Sequence, residues 1–159
     1  MIGILLRDAA GPWLGGFEAR VRQRLGTTMA RLGTALADRV QDNLNGAVLA
    51  RRSGRLAAAQ QMRLEADGDA VSVSVGFDPG EVPYGAIHEF GGTTRAHLIA
   101  AKSAFALAFT VGDRLVFARH VNHPGSHVPE RSFLRSALAG FAPDARGAVG
   151  DAVIGAVAS

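Results

Sequence analysis

The side chains with most chemistry to offer are the five histidines. His120, His123 and His127 fall within one short stretch, with His88-Glu89 and His97 upstream, so a histidine–carboxylate metal site is the first arrangement to weigh. A helical zinc site needs two histidines at i and i+4 with a glutamate between them. Pro124-Gly125 breaks any helix between His123 and His127, and His88-Glu89 has no second histidine four residues on. The spacing favours turn and interface histidines, and no metal ligand is assigned. Ser53, Ser103, Ser126 and Ser132 all lie outside a Gly-x-Ser-x-Gly elbow, and Ser126, between Gly125 and His127, reads as a turn residue. A carboxylate pair for glycoside hydrolysis must be close in space, and the sequence singles out no pair among the 14 acids. Gly91-Gly92-Thr93-Thr94 lacks the flanking spacing of a phosphate loop, and the only lysine is Lys102, so it reads as a helix end and turn. With no cysteine, thiolate nucleophiles, disulfides, cysteine zinc sites and iron–sulfur clusters are excluded. The pattern points away from an enzyme and calls for no cofactor.

The elements that would carry these residues fit one domain. A chain of 159 residues is about one domain long. Its 48% apolar and 19% charged residues suit a globular core, while 20 Gly and 6 Pro predict many turns. The opening apolar run ends at Arg7-Asp8, too short for a signal peptide, and nothing later is long enough to span a bilayer. Synthesis in the cytoplasm, in soluble form, and no membrane partner are the expectation.

Val21, Leu25, Met29, Leu32, Leu36, Val40, Leu44 and Val48 recur at steps of three or four, which predicts one long helix over 17–50. All but one of the 17 basic residues are arginines, yet the net charge of +3 alone does not imply nucleic acid. The excess is local, with eight arginines against three acids between Glu18 and Arg55. Arg20, Arg24, Arg31, Arg51, Arg52 and Arg55 form either a solvated face or a basic surface toward DNA or an acidic neighbour. No aromatic residue interleaves with them, so base stacking is not supported.

After Ser53-Gly54 a short helix or turn leads to a hairpin, 62–66 with 71–75, turned by Asp67-Gly68. Tyr84, Ile87 and Phe90 fit one short helical face ended by Gly91-Gly92, and 93–97 reads as an exposed loop. A second hairpin pairs 104–111 with 115–121, and two helices follow at 129–139 and 143–157. The expected class is α+β: a small antiparallel sheet of about four strands, in two hairpins, against the long N-terminal helix and the C-terminal helices.

Four landmarks carry a resemblance. Tyr84-Gly85-Ala86-Ile87-His88-Glu89-Phe90-Gly91 resembles a signature of small tail-completion and head–tail junction proteins of long-tailed bacteriophages, and of related morphogenesis proteins of Mu-like phages. Ser53-Gly54-x-Leu56 is similar to that family's step after its long helix. Val121-Asn122-His123-Pro124-Gly125 resembles its Val-x-His-Pro-Gly turn, and Arg131-Ser132-Phe133-Leu134 its Arg-Pro-Phe-Leu entry into the last helices. The landmarks fall in order over about half the chain. Ser132 replaces the usual Pro, and Ala100-Ala101-Lys102 the usual Ile-Pro-x-Lys.

The resemblance implies a non-enzymatic virion protein of the neck. It would be a ring subunit, of a hexamer, that joins head to tail and contacts neighbouring neck and tail-tube proteins, with passing contact to DNA in the channel. A tail terminator capping the tube is the alternative within the class, and a nucleic-acid-binding module the alternative outside it. The motif residues, at the fold or the ring interface, are then Gly54, Leu56, Tyr84, His88, Glu89, Phe90, Gly91, His123, Pro124, Gly125 and Phe133.

Overall fold

The computed structural model describes residues 1–7, 15–50, 53–68, 70–102 and 104–157; Arg51, Arg52 and Ser103 lie outside the described residues. The fold is α+β. Helix α1 (Gly15–Asp42) ends in a π-type turn at Asn43–Ala47, where Gly46 adopts φ 134°. The predicted periodicity holds: Val21, Leu25, Met29, Leu32, Leu36, Val40 and Leu44 are all buried. One stripe of α1 therefore faces the core along its whole length, and apolar burial rather than propensity fixes the helix.

That stripe packs on a three-stranded antiparallel sheet formed by β1 (Ile2–Arg7), β2 (Gln60–Asp67) and β3 (Ala70–Phe77), in the order β1-β3-β2. The β2–β3 hairpin was expected. The opening run Ile2–Arg7, read only as too short for a signal peptide, is the third strand and pairs along the whole of Ala70–Val75. Val73 and Val75, fully buried, face α1, and their serine neighbours Ser72 and Ser74 take the other face. A Cβ on Gly33 of α1 would overlap Val73 and come within 2.8 Å of Met62 Sδ, so the missing side chain sets how closely helix and sheet approach.

Helix α4 (Leu134–Val157) packs along α1. Two helices divided before Pro143 were expected, but a single helix runs through it. Proline withholds the amide that Ala139 would accept. Beside that gap Arg39 of α1 donates to the Gly140 carbonyl (2.8 Å) and pairs with Asp144 (3.1 Å). Tertiary contacts thus hold together a helix that the local sequence would end. The helices and sheet bury Phe133, Leu134, Ala137, Phe141 and Ala145 against Met29, Leu36 and Val40.

A short helix α2 (Arg55–Ala58) leads into β2, and between β3 and α4 the chain forms α3 (Gly85–Phe90) and three two-stranded ladders. Strand β4 (Gly92–Thr93) pairs with β9 (His127–Val128), β5 (His97–Ala100) with β8 (His120–His123), and β6 (Leu107–Val111) with β7 (Arg114–Ala118). The second predicted hairpin is present but shorter, because His120–His123 leaves it to pair with His97–Ala100. The stretch expected as an exposed loop at 93–97 is bracketed by those pairings. The four strands of one expected sheet are therefore distributed between a three-stranded sheet and a separate ribbon. Ala101 donating to the Arg119 carbonyl links the β5–β8 and β6–β7 ladders along that ribbon.

Candidate functional site

Helix α3 places Glu89 inward. The side chain is 2% exposed, the only buried carboxylate among the described residues. One oxygen, Oε2, accepts the backbone N–H groups of Phe133 and Leu134, each at 2.8 Å. The other, Oε1, accepts the N–H of Arg135 at 3.0 Å, the Ser132 hydroxyl at 3.1 Å and Arg135 Nε at 3.1 Å. These amides open α4 and would lack partners within the helix. Glu89 is thus a capping residue supplied from 44 residues away rather than from the helix's own leading segment, and its charge sits at the positive end of the α4 dipole. Burial raises its pKa, but the bonds from Leu134, Arg135 and Ser132 outweigh that, and the carboxyl is held below its ordinary value.

Arg135 closes the assembly from outside. Beyond Glu89 Oε1, it donates to the Glu89 carbonyl (3.0 Å) and to Glu130 (2.7 Å), and its guanidinium lies 4.7 Å from the centre of the Phe90 ring. Arg131 N–H donates to the His88 carbonyl at 2.8 Å, and Asn43 reaches from the end of α1 to the Phe133 carbonyl at 2.8 Å. Phe90, expected on one apolar face of this helix with Tyr84 and Ile87, is 61% exposed beneath Arg135, while Glu89 fills the inward position. A six-residue helix turns only one narrow stripe inward, and the carboxylate takes it because three buried amides need an acceptor.

The other landmarks gather on the same short helix. Gly54 adopts φ 73° ahead of α2, and Leu56, buried in the core, packs toward Gly85. Ser53, Gly54, Leu56, Tyr84, His88 and Arg131 border one shallow cleft of about 260 Å³. The Tyr84 and His88 rings meet edge to face at 6.1 Å. Gly91 ends α3 at φ 69°, and a Cβ there would come within 2.8 Å of Glu130 N. Gly125, at φ 94°, is pressed against the Thr94 carbonyl where a side chain would overlap it. With Ser126 N–H on Thr94 Oγ1 (2.8 Å), the His123-Pro124-Gly125 turn pins the base of the ribbon beside α3. Three of the four landmarks, scattered over half the sequence, meet at α3, and the fourth, the His123-Pro124-Gly125 turn, packs on Thr94 just beyond the β4 strand that follows it.

The histidines do not converge on a metal. Among the described residues no group of three or more His, Asp or Glu is placed to hold one. His97 and His123 stack at 5.0 Å as a cross-strand pair. His123 Nδ1 accepts the Gly125 N–H at 3.0 Å, which commits the neutral ring to carrying its proton on Nε2 and leaves no outward lone pair. Of the expected basic surface, Arg20, Arg24, Arg31 and Arg55 are all exposed, the Arg24 guanidinium lying near Gly155 of α4, and Arg51 and Arg52 fall outside the described residues.

The ribbon is the feature that sequence reasoning missed. Among the described residues from 92 to 128 none is buried, and none belongs to the core. Phe105 (83% exposed), Leu115 (63%) and Phe117 (65%) form its most exposed apolar surface, with Arg119 stacked over Phe105 at 4.8 Å. The unbroken apolar–polar mixture of 104–121 carried the signal, but a half-buried strand reads the same way. No protein-family model, curated protein or solved structure matches the chain. Among the described residues no helix is long and apolar enough to cross a membrane.

Proposed function

We propose that this chain is a structural, non-catalytic subunit of the neck of a long-tailed bacteriophage, one copy of a closed ring that joins head and tail. The observation that supports this reading is the convergence of three of the four landmarks on α3, with the fourth at the base of the ribbon that follows it: Glu89 caps α4, Leu56 packs toward Gly85, and Gly125 packs on Thr94. Those residues build a scaffold rather than a reacting centre, since Glu89, the one buried carboxylate among the described residues, is consumed by backbone amides and an arginine. A closed ring needs heterologous contacts, in which one patch meets a different patch on the next copy. The exposed apolar ribbon is one such patch, and the resemblance sets six copies as the expected number.

Capping the tail tube is the second reading, favoured by the same ribbon and sharing the ring. The arginines of α1 contribute at most a lining toward DNA; Arg24 and Arg39, though exposed, also touch α4. Electron microscopy of purified protein, alone and with tail tubes, tests the proposal. Closed rings that seat on the tube end are expected, and a virion map whose neck lacks this chain would contradict it.

A further inference from the structure

The ribbon and the sheet each leave something unfinished. Strand β2 pairs with β3 alone, so its other edge presents free backbone groups among the described residues. It also carries Met62 and Leu64, 43% and 45% exposed, on the side of the sheet that α1 covers. Helix α1 crosses β3 and reaches β2, while α4 lies along α1 and touches β1, so this margin is open. Strand β7 likewise pairs with β6 alone. An isolated two-stranded ribbon is marginal in water, and this one buries none of its described residues.

We infer that β7 of one copy adds in antiparallel fashion to the β2 edge of the next copy, extending the three-stranded sheet across the contact. The inference deepens the ring reading and rests on it. Three pairings coincide in a single register. Leu115 falls opposite Leu64, Phe117 opposite Met62, and Arg114 opposite Glu65. Side chains alternate between faces along each strand. The two apolar pairs therefore share the α1 side, and the ion pair falls on the other face. Charge agrees on the larger scale: the ribbon from 94 to 127 carries Arg95, Lys102, Arg114 and Arg119 against Asp113, whereas β2 carries Glu65 and Asp67 against Arg63. The area agrees as well. Phe105 and Phe117 expose about 300 Å² of ring at roughly 200 Å² per phenylalanine, a substantial share of the about 800 Å² that each partner buries in a standard interface. A chain cannot satisfy the contact on itself without moving the ribbon base pinned by Gly125 and Ser126. A second copy is the occupant that supplies both an edge and a complementary charge.

The absence of native cysteine makes the test clean. Full-length Leu64→Cys and Leu115→Cys proteins are mixed and oxidised, with Leu64→Cys plus Ile154→Cys as the control pair, Ile154 being exposed on α4. A disulfide-linked dimer is expected from the first mixture at least tenfold above the control. Glu65→Arg and Arg114→Glu should each reduce assembly, read by mass photometry, at least tenfold, and the two together in one chain should restore it. Circular dichroism confirms folding of each variant, all of which alter exposed side chains. Rings that persist unchanged in both single reversals, with no cross-link, keep the ring reading and overturn the strand addition. Open chains or dimers that cross-link keep the strand addition and overturn the closed ring. A wild-type chain that stays monomeric and uncross-linked overturns both. Loss of duplex-DNA retention on Arg114→Glu with assembly intact overturns the inference and assigns the ribbon to nucleic acid.

Discussion

The body around α3 and the ribbon that leaves it obey different rules. In the body most polar groups at the helix ends and crossings have been given a partner: three amides at the start of α4 go to Glu89, the Phe133 carbonyl to Asn43, and the Gly140 carbonyl to Arg39, while Gln60 Oε1 and His88 Nδ1 are buried without one. In the ribbon each strand is paired along one edge only, and none of the described apolar side chains is buried. A monomer gains nothing from exposing Phe105, Leu115 and Phe117, and exposed apolar surface of this kind marks interaction sites. The comparison separates residues that hold the subunit together from residues available to hold subunits to one another. The landmarks fall in the first group, and the most exposed apolar side chains of the ribbon in the second.

Mutations should sort along that division. The largest effect is expected from Phe133→Ala, which empties a 1% exposed site packed edge to face against Phe77 at 5.7 Å. A loss of about 3–5 kcal/mol in denaturant unfolding is expected. Glu89→Ala follows closely, at about 3–4 kcal/mol, because it leaves buried amides without an acceptor, although Arg135 keeps Glu130. Glu89→Gln keeps an acceptor oxygen and should cost about half as much. Gly125→Ala, forced into positive φ against the Thr94 carbonyl, should cost about 1–2 kcal/mol. Its readout is faster hydrogen exchange confined to the ribbon. Phe117→Ser should change monomer stability by less than about 0.5 kcal/mol while weakening assembly, the reverse of the body substitutions. A Phe117→Ser protein that unfolds as readily as Phe133→Ala would erase the division.

The same lock has a pH signature. Glu89 has its folded-state pKa below the ordinary value of 4.5, so the folded chain binds its proton less readily than the unfolded one. Its stabilisation is complete above pH 4.5, and is lost as pH falls from there through the lower folded value. The denaturant midpoint should stay level from pH 7 to 5 and then decline. In Glu89→Gln that decline should be shallower.

How much was legible follows from the range of each cause. The stripe of α1 and the β2–β3 hairpin are written in residues a few positions apart, so periodicity reveals them. Pro143 is a local stop signal overruled by Arg39, a hundred residues upstream, and only the folded chain brings the two together. Glu89 reads as a polar residue on a short exposed helix until its acceptor oxygens meet α4. One clue was present: Ser132 leads into α4 with Arg135, not an acid, three residues on, so the helix lacks a reciprocal cap of its own. Ile2–Arg7 illustrates the opposite case, an apolar run whose partner strand lies about seventy residues later and whose length alone fits several fates. The ribbon's exposure could not be read either, since alternation shows two faces without saying that both remain uncovered.

Mass photometry of the purified wild-type protein across a concentration series measures directly whether the exposed ribbon makes this chain assemble with itself. A discrete closed species of several copies, six by the resemblance, that is lost in Phe117→Ser but retained in a body variant such as Glu89→Gln is the predicted result. A single-chain mass at every concentration, indifferent to Phe117→Ser, would contradict it.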